Sequence, residues 1–119
     1  MSAESTPPLA ERHCRACSGG DQPLAQPAID QLLDRLDPSW QLDTRGRLTR
    51  TFDFPDFRSA LSYLVALGEE AERQGHHPRL VLRWGHVDVR LTTHAVGGLT
   101  DNDFILAARA DRLYTPEGQ

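Results

Sequence analysis

Residues 79–94 constrain the fold of this chain more than any other stretch. R-L-V-L-R-W (79–84) and V-D-V-R-L-T-T-H (87–94) both alternate apolar with polar residues, and only Gly85-His86 separates them. Such alternation is the period of a half-buried strand, and Gly first in a two-residue connection is the signal of a type II′ hairpin. That turn predicts Trp84 facing Val87, Leu82 facing Val89 and Leu80 facing Leu91, all on one apolar face. The opposite face is expected to carry the pairs Arg83–Asp88, Val81–Arg90 and Arg79–Thr92, and, at the open end, His77 opposite His94. Directly opposed residues bring their Cβ atoms to about 4.5–5.5 Å, close enough to act on one ligand. His76 has the other parity, at the exit of a predicted helix.

The flanking sequence supplies the layer that covers the apolar face. Ile29, Leu32, Leu33 and Leu36 repeat at helical spacing up to Pro38. Trp40, Leu42, Leu48, Phe52 and Phe54 alternate around an Asp43–Gly46 turn and predict a first hairpin. Pro55 suits the first turn of a helix whose stripe runs Phe57, Ala60, Leu61, Leu64, Val65, Gly68 and Ala71, with Gly75 as its cap. After Gly97-Gly98, Thr100 with Asp103 three residues later reads as a capping box opening a last helix through Phe104, Leu106, Ala107 and Ala110. The expected fold is α+β: a four-stranded antiparallel sheet with helices packed on one face, in the order α-β-β-α-β-β-α.

Composition narrows the function classes. The 119 residues suffice for one domain with a modest core. A net charge of −4 with no long basic run argues against nucleic acid as a partner, and no apolar run approaches the roughly 18 residues of a membrane span. The opening M-S-A-E-S-T-P-P-L-A-E-R lacks the apolar centre of a secretory signal, so the expected location is cytoplasmic. Residues 1–26 are expected to form a poorly ordered N-terminal tail, and residues 27–119 the folded domain. Both cysteines lie in that tail, as His13-Cys14-Arg15-Ala16-Cys17. A structural zinc site wants four ligands, so this segment reads as tail, as a metal site completed by another chain, or as a redox pair.

The polar sheet face carries the chemistry. Arg79, Arg83 and Arg90 read as solvated. His76, His77 and His94 converge where a helix end, a strand end and a glycine-containing loop meet, and imidazole is the side chain best matched to proton transfer near neutral pH. Zinc on three histidines is the competing arrangement. Neighbouring histidines on extended chain point apart, however, and no cysteine or glutamate motif completes a set. The site is therefore expected to hold no metal.

Glu72, His76-His77-Pro78, Trp84, His94 and Asp103, together with T-T-H-A-V-G-G-L-T-D-N-D-F (92–104), resemble the signature of the bacterial pterin-4a-carbinolamine dehydratase family. The resemblance extends over residues 27–114, including Trp40, Phe52, Phe54, Phe57 and Ala60, and identifies 27–119 as a domain of that kind. It implies removal of water from a 4a-hydroxytetrahydropterin to give quinonoid dihydropterin, in tetrahydropterin recycling for aromatic amino-acid hydroxylation, with no cofactor. By the same resemblance His76 and His94 are the catalytic proton-transfer residues, and His77, Asp103 and Glu72 contact or support the pterin. Glu72 is then expected either to hold His76 in one tautomer or to be an exposed helix residue, and Asp103 to orient a histidine, bond the substrate or serve only in the helix cap. Trp84 is expected in the core by its strand parity. The chain departs from many animal members at Leu80, where they carry Trp, and at Ala95, where they carry an acid. The resemblance also implies a homodimer or homotetramer. The alternative it leaves is a non-catalytic interaction, assembly or transcriptional cofactor role on the same fold.

Overall fold

The computed structural model describes residues 8–16 and 21–114. A helix α1 (Gln26–Leu33) precedes the short strand β1 (Gln41–Leu42) and strand β2 (Leu48–Asp53). A long helix α2 (Phe57–Gln74) leads to strands β3 (Arg79–Arg83) and β4 (His86–Leu91), and helix α3 (Asp101–Leu113) closes the fold. All pairings are antiparallel, in the order β1-β2-β4-β3. The expected class and element order are both found.

One sheet face is buried against the helices. Leu48 and Phe52 of β2 and Val87, Val89 and Leu91 of β4 meet Tyr63 and Leu67 of α2 and Phe104 and Leu106 of α3. Burying each such large side chain is worth about 1.5–3 kcal/mol. The Tyr63 hydroxyl donates to the Ala110 carbonyl at 2.7 Å, which satisfies the one polar atom that this ring carries inside. Arg50 shares the inward parity with Leu48 and Phe52. Its guanidinium lies 4.3 Å from the Phe52 ring centre and pairs with Asp111 at 2.8 Å. Trp40 Nε1 donates to the same carboxylate at 2.9 Å. Burial pushes the Asp111 carboxyl above its ordinary value despite these partners.

The second hairpin differs from the expected one. Its loop is Trp84-Gly85, so Leu82 faces Val87, Leu80 faces Val89 and Arg79 faces Arg90. The reason is the third strand: β2 pairs with β4 as far as Asp53–His86, and the Phe54 amide donates to the Gly85 carbonyl at 2.8 Å. His86 is therefore held in β4 and cannot serve in the turn. A Cβ on Gly85 would stand 3.0 Å from the Phe54 carbonyl oxygen, so close approach of two backbones, not a left-handed φ, calls for glycine here. Each partner moves by two residues, which preserves parity, and both faces keep their residues. Trp84 alone changes place: it sits at the hairpin tip with 69% of its surface exposed, outside the core.

Helix α2 also rotates its expected stripe. Asp56, not Pro55, opens it, accepting from the Ser59 amide at 2.8 Å. Ala60, Tyr63, Leu67 and Ala71 face inward, while Phe57, Leu61 and Val65 are exposed. The two stripes differ by a fraction of a turn, and Tyr63, with its polar tip, decides the buried one.

Candidate active site

Three devices bring the histidines to one end of the sheet. Gly75 ends α2 in the left-handed region (φ 66°), with its amide on the Glu72 carbonyl and the His76 amide on that of Ala71. Those bonds terminate the helix and launch His76-His77 toward β3. At the far end of β4, Thr93 bridges to Gly98, its amide donating to the Gly98 carbonyl at 2.9 Å. His94 opens the single 3₁₀ turn enclosed by that bridge, His94–Val96. His76, His77 and His94 together line a depression of about 280 Å³ with Thr92, Thr93 and Asn102.

The expected face-to-face pairing of His77 with His94 is not how they meet. The observed register runs Arg79–Arg90, which aligns His77 with Thr92, and His94 has already left the strand. Convergence comes from the turn after β4, not from the ladder.

The carboxylates are distributed differently from the expectation as well. His76 Nε2 lies 2.6 Å from Asp103 Oδ1. His77 Nε2 lies 2.8 Å from Glu72 Oε1, so Glu72 supports His77 and not His76. The exit from α2 explains the exchange: beyond Gly75 the ring of His76 turns toward α3, and His77 falls back over the last turn of α2. Asp103 is fully buried. Its Oδ2 accepts the Thr93 hydroxyl at 2.7 Å and the Thr100 amide at 3.0 Å. The carboxyl thus both caps α3 and grips His76. An ionised carboxylate only accepts hydrogen bonds, so opposite ionised Asp103 the donor is Nε2–H, and in the neutral imidazole that tautomer leaves the lone pair on Nδ1. His76 is nearly buried, with its side chain 11% exposed, whereas the His77–Glu72 pair stands in solvent.

His94 is exposed, and among the described residues its ring makes no hydrogen bond or ion pair. Among the described residues no three His, Cys, Asp or Glu side chains form a metal-holding group.

Two contributors escaped the sequence reading. Thr93, read only as strand, is buried and anchors Asp103; its inward parity in T-T-H was the available signal. The segment 8–16, expected to lie in a tail, packs along α3. Leu9 is buried, Arg109 donates to the Arg12 carbonyl at 2.6 Å, and Asn102 brackets Arg15 through its amide and carbonyl. Arg15 and Ala16 thereby reach the rim of the histidine depression. Cys14 Sγ lies 3.5 Å from the Asn102 carbonyl oxygen, and Cys17 falls outside the described residues.

Comparison with known proteins places this arrangement. Residues 22–113 match the family model described as Pterin 4 alpha carbinolamine dehydratase. A Chlorobium limicola protein named "Putative pterin-4-alpha-carbinolamine dehydratase" is 49% identical over 109 residues, covering 89% of this chain and 96% of that one. A Brucella melitensis crystal structure described as a transcriptional coactivator/pterin dehydratase superposes with a TM-score of 0.74 at 32% identity, over 79% of this chain and all of the other. A pterin dehydratase-like protein described as a RuBisCO assembly factor of the alpha-carboxysome superposes at 0.56 with 26% identity, over 63% of this chain and 88% of its own.

Proposed function

This chain belongs to the pterin 4 alpha carbinolamine dehydratase family, and from that premise we propose that it dehydrates 4a-hydroxytetrahydropterins, with His76 and His94 moving the protons. The observation that carries the reading is the His76–Asp103 contact at 2.6 Å inside a pocket shared with His94.

The reaction removes OH from C4a and H from N5, forms the C4a=N5 double bond and releases water. The N5 lone pair can expel the hydroxyl once that oxygen is protonated. His94, exposed and uncommitted, is the general acid that gives a proton to the departing oxygen. His76, with Nε2–H held by Asp103, presents Nδ1 as the base that takes the N5 proton. Asp103 is a positioning residue: it fixes the tautomer and steadies the imidazolium as it forms, the role a carboxylate plays behind a catalytic histidine elsewhere. Such positioned acid and base groups typically contribute about 10²–10⁴-fold. His77, supported by Glu72, contacts and orients the pterin ring. In the cell, this activity serves recycling of tetrahydropterin after aromatic amino-acid hydroxylation.

The alternative role, in which the same fold acts only by binding another protein, draws on the descriptions of the two solved relatives. The paired His76 and Asp103, whose buried carboxylate is costly unless fully bonded, favour the enzyme. The test is the rate at which 4a-hydroxytetrahydropterin absorbance decays with and without the folded chain at neutral pH. Acceleration well above the spontaneous rate supports dehydration; equal rates move the assignment to the binding role.

A further inference from the structure

Beside the histidines, on the outer sheet face, lies a second depression of about 220 Å³ lined by Arg47, His77, Arg79, Arg90, Thr92 and His94. It shares His77, Thr92 and His94 with the first, so the two depressions adjoin along those residues. Its arginines were expected to be simply solvated. Arg83 does find a local partner, making two bonds to Asp88 at 2.9 and 3.0 Å. Arg79 and Arg90 do not share that arrangement. They stand directly opposite one another on β3 and β4, a like-charge cross-strand pair that costs stability when nothing neutralises it. Asp43 is bonded to Arg47 Nε at 2.8 Å and lies 4.0 Å from Arg90 Nε. Among the described residues Arg79 has no acidic partner. Three guanidinium groups thus line this depression, and among the described residues Asp43 is the carboxylate they pair with, in a chain whose net charge is −4.

Building on the dehydratase reading, we infer that the Arg79–Arg90–Arg47 cleft binds an oxyanion, carboxylate or phosphate, and that this group is carried on the substrate's C6 side chain. In a pterin, C6 is bonded to N5, which is bonded to the reacting C4a. A ring with C4a at His76 and His94 has its C6 substituent on that same edge, where the neighbouring depression begins. Guanidinium forks match carboxylate and phosphate in geometry as well as charge, and an anion there relieves the repulsion between Arg79 and Arg90.

Equilibrium titration of the intact chain with fluorescent oxidised pterins separates this inference from the reading on which it rests. Pterin-6-carboxylate is expected to bind about tenfold tighter than 6-hydroxymethylpterin, the gain of one charge-assisted contact. The ratio is expected to fall toward one in Arg79→Gln/Arg90→Gln, whose folding is checked by circular dichroism. In the unmodified chain the ratio is expected to shrink as KCl rises, a readout that needs no variant. Inorganic phosphate is expected to displace the carboxylate and leave 6-hydroxymethylpterin in place. Phosphate that instead strengthens 6-hydroxymethylpterin binding overturns the side-chain assignment and makes the anion a separate ligand. Equal affinity for the two pterins, with dehydration intact, overturns the inference and leaves the dehydratase standing. If neither pterin binds, both the substrate assignment and this inference fall together, whereas an active dehydratase with the carboxylate preference supports both.

Discussion

Asp103 and His76, on different elements and 27 residues apart, are joined by a 2.6 Å hydrogen bond between Oδ1 and Nε2. The other carboxylate oxygen is fully used by Thr93 and Thr100. The helix cap and the candidate catalytic base are therefore one unit. Replacing Asp103→Asn removes the charge and can reverse the tautomer. Dehydration is expected to fall by about 10-fold or more, part of the roughly 10²–10⁴-fold that proton transfer supplies, with a changed pH–rate profile. Because the site is buried, stability is expected to drop by about 1–3 kcal/mol. Thr100→Val, which keeps the backbone amide and spares the His76 contact, should lower stability while leaving the shape of the pH profile unaltered.

Glu72 and His77 form the contrasting pair. Both are largely exposed, and exposed ion pairs contribute little. Glu72→Gln is expected to change KM less than about threefold and to leave kcat nearly unaltered. A tenfold loss in kcat would place Glu72 in the proton path after all.

Glu70 ties α2 to α3 through Arg109, which also donates to the Arg12 carbonyl of the N-terminal segment. Burial alone pushes its carboxyl up. Hydrogen bonds from Arg73, Arg109 and Gln74, with the Arg109 charge, outweigh that and hold it below the ordinary value. A lowered folded value stabilises the protein above the unfolded carboxyl value of about 4.3 and is lost as pH falls through the folded one. Glu70→Gln should cost about 1–3 kcal/mol at neutral pH, and urea titrations should show that gap closing below about pH 4. A gap independent of pH contradicts the assignment.

At the second hairpin, Gly85→Ala places a methyl 3.0 Å from the Phe54 carbonyl. Overpacking of this kind costs about 1–3 kcal/mol. Trp84→Ala, one residue earlier and exposed, is expected to stay within about 0.5 kcal/mol. Thermal melts of the two variants side by side decide it; a larger loss at Trp84 would return that ring to the core.

How far the sequence reveals this molecule depends on how local each constraint is. Gly75, Thr100 and the alternation of Leu80 and Leu82 with Val87, Val89 and Leu91 act within a few residues, and the end of α2, the cap of α3, the buried sheet face and the element order are legible from them, whereas the opening of α2 at Asp56 and its buried stripe through Tyr63 are not. The register of β3 on β4 is not, because the bond from Phe54 to Gly85 comes from a different hairpin. Nor is the partner of His76: Glu72 is near in sequence, yet Asp103 is the residue that reaches it across the fold. Arg50 on the apolar face is legible only once Asp111 and the Phe52 ring are seen beside it. The cluster of histidines is visible in sequence, but the way they meet is a product of the turn at His94.

The most direct test of the account is stopped-flow dehydration of 4a-hydroxytetrahydropterin by the His76→Ala/His94→Ala double variant beside the unmodified chain. His76 and His94 are predicted to carry both proton transfers, so the folded double variant should do no better than the spontaneous reaction, and chelators should leave the unmodified chain active. Undiminished turnover by the folded double variant would contradict the assignment.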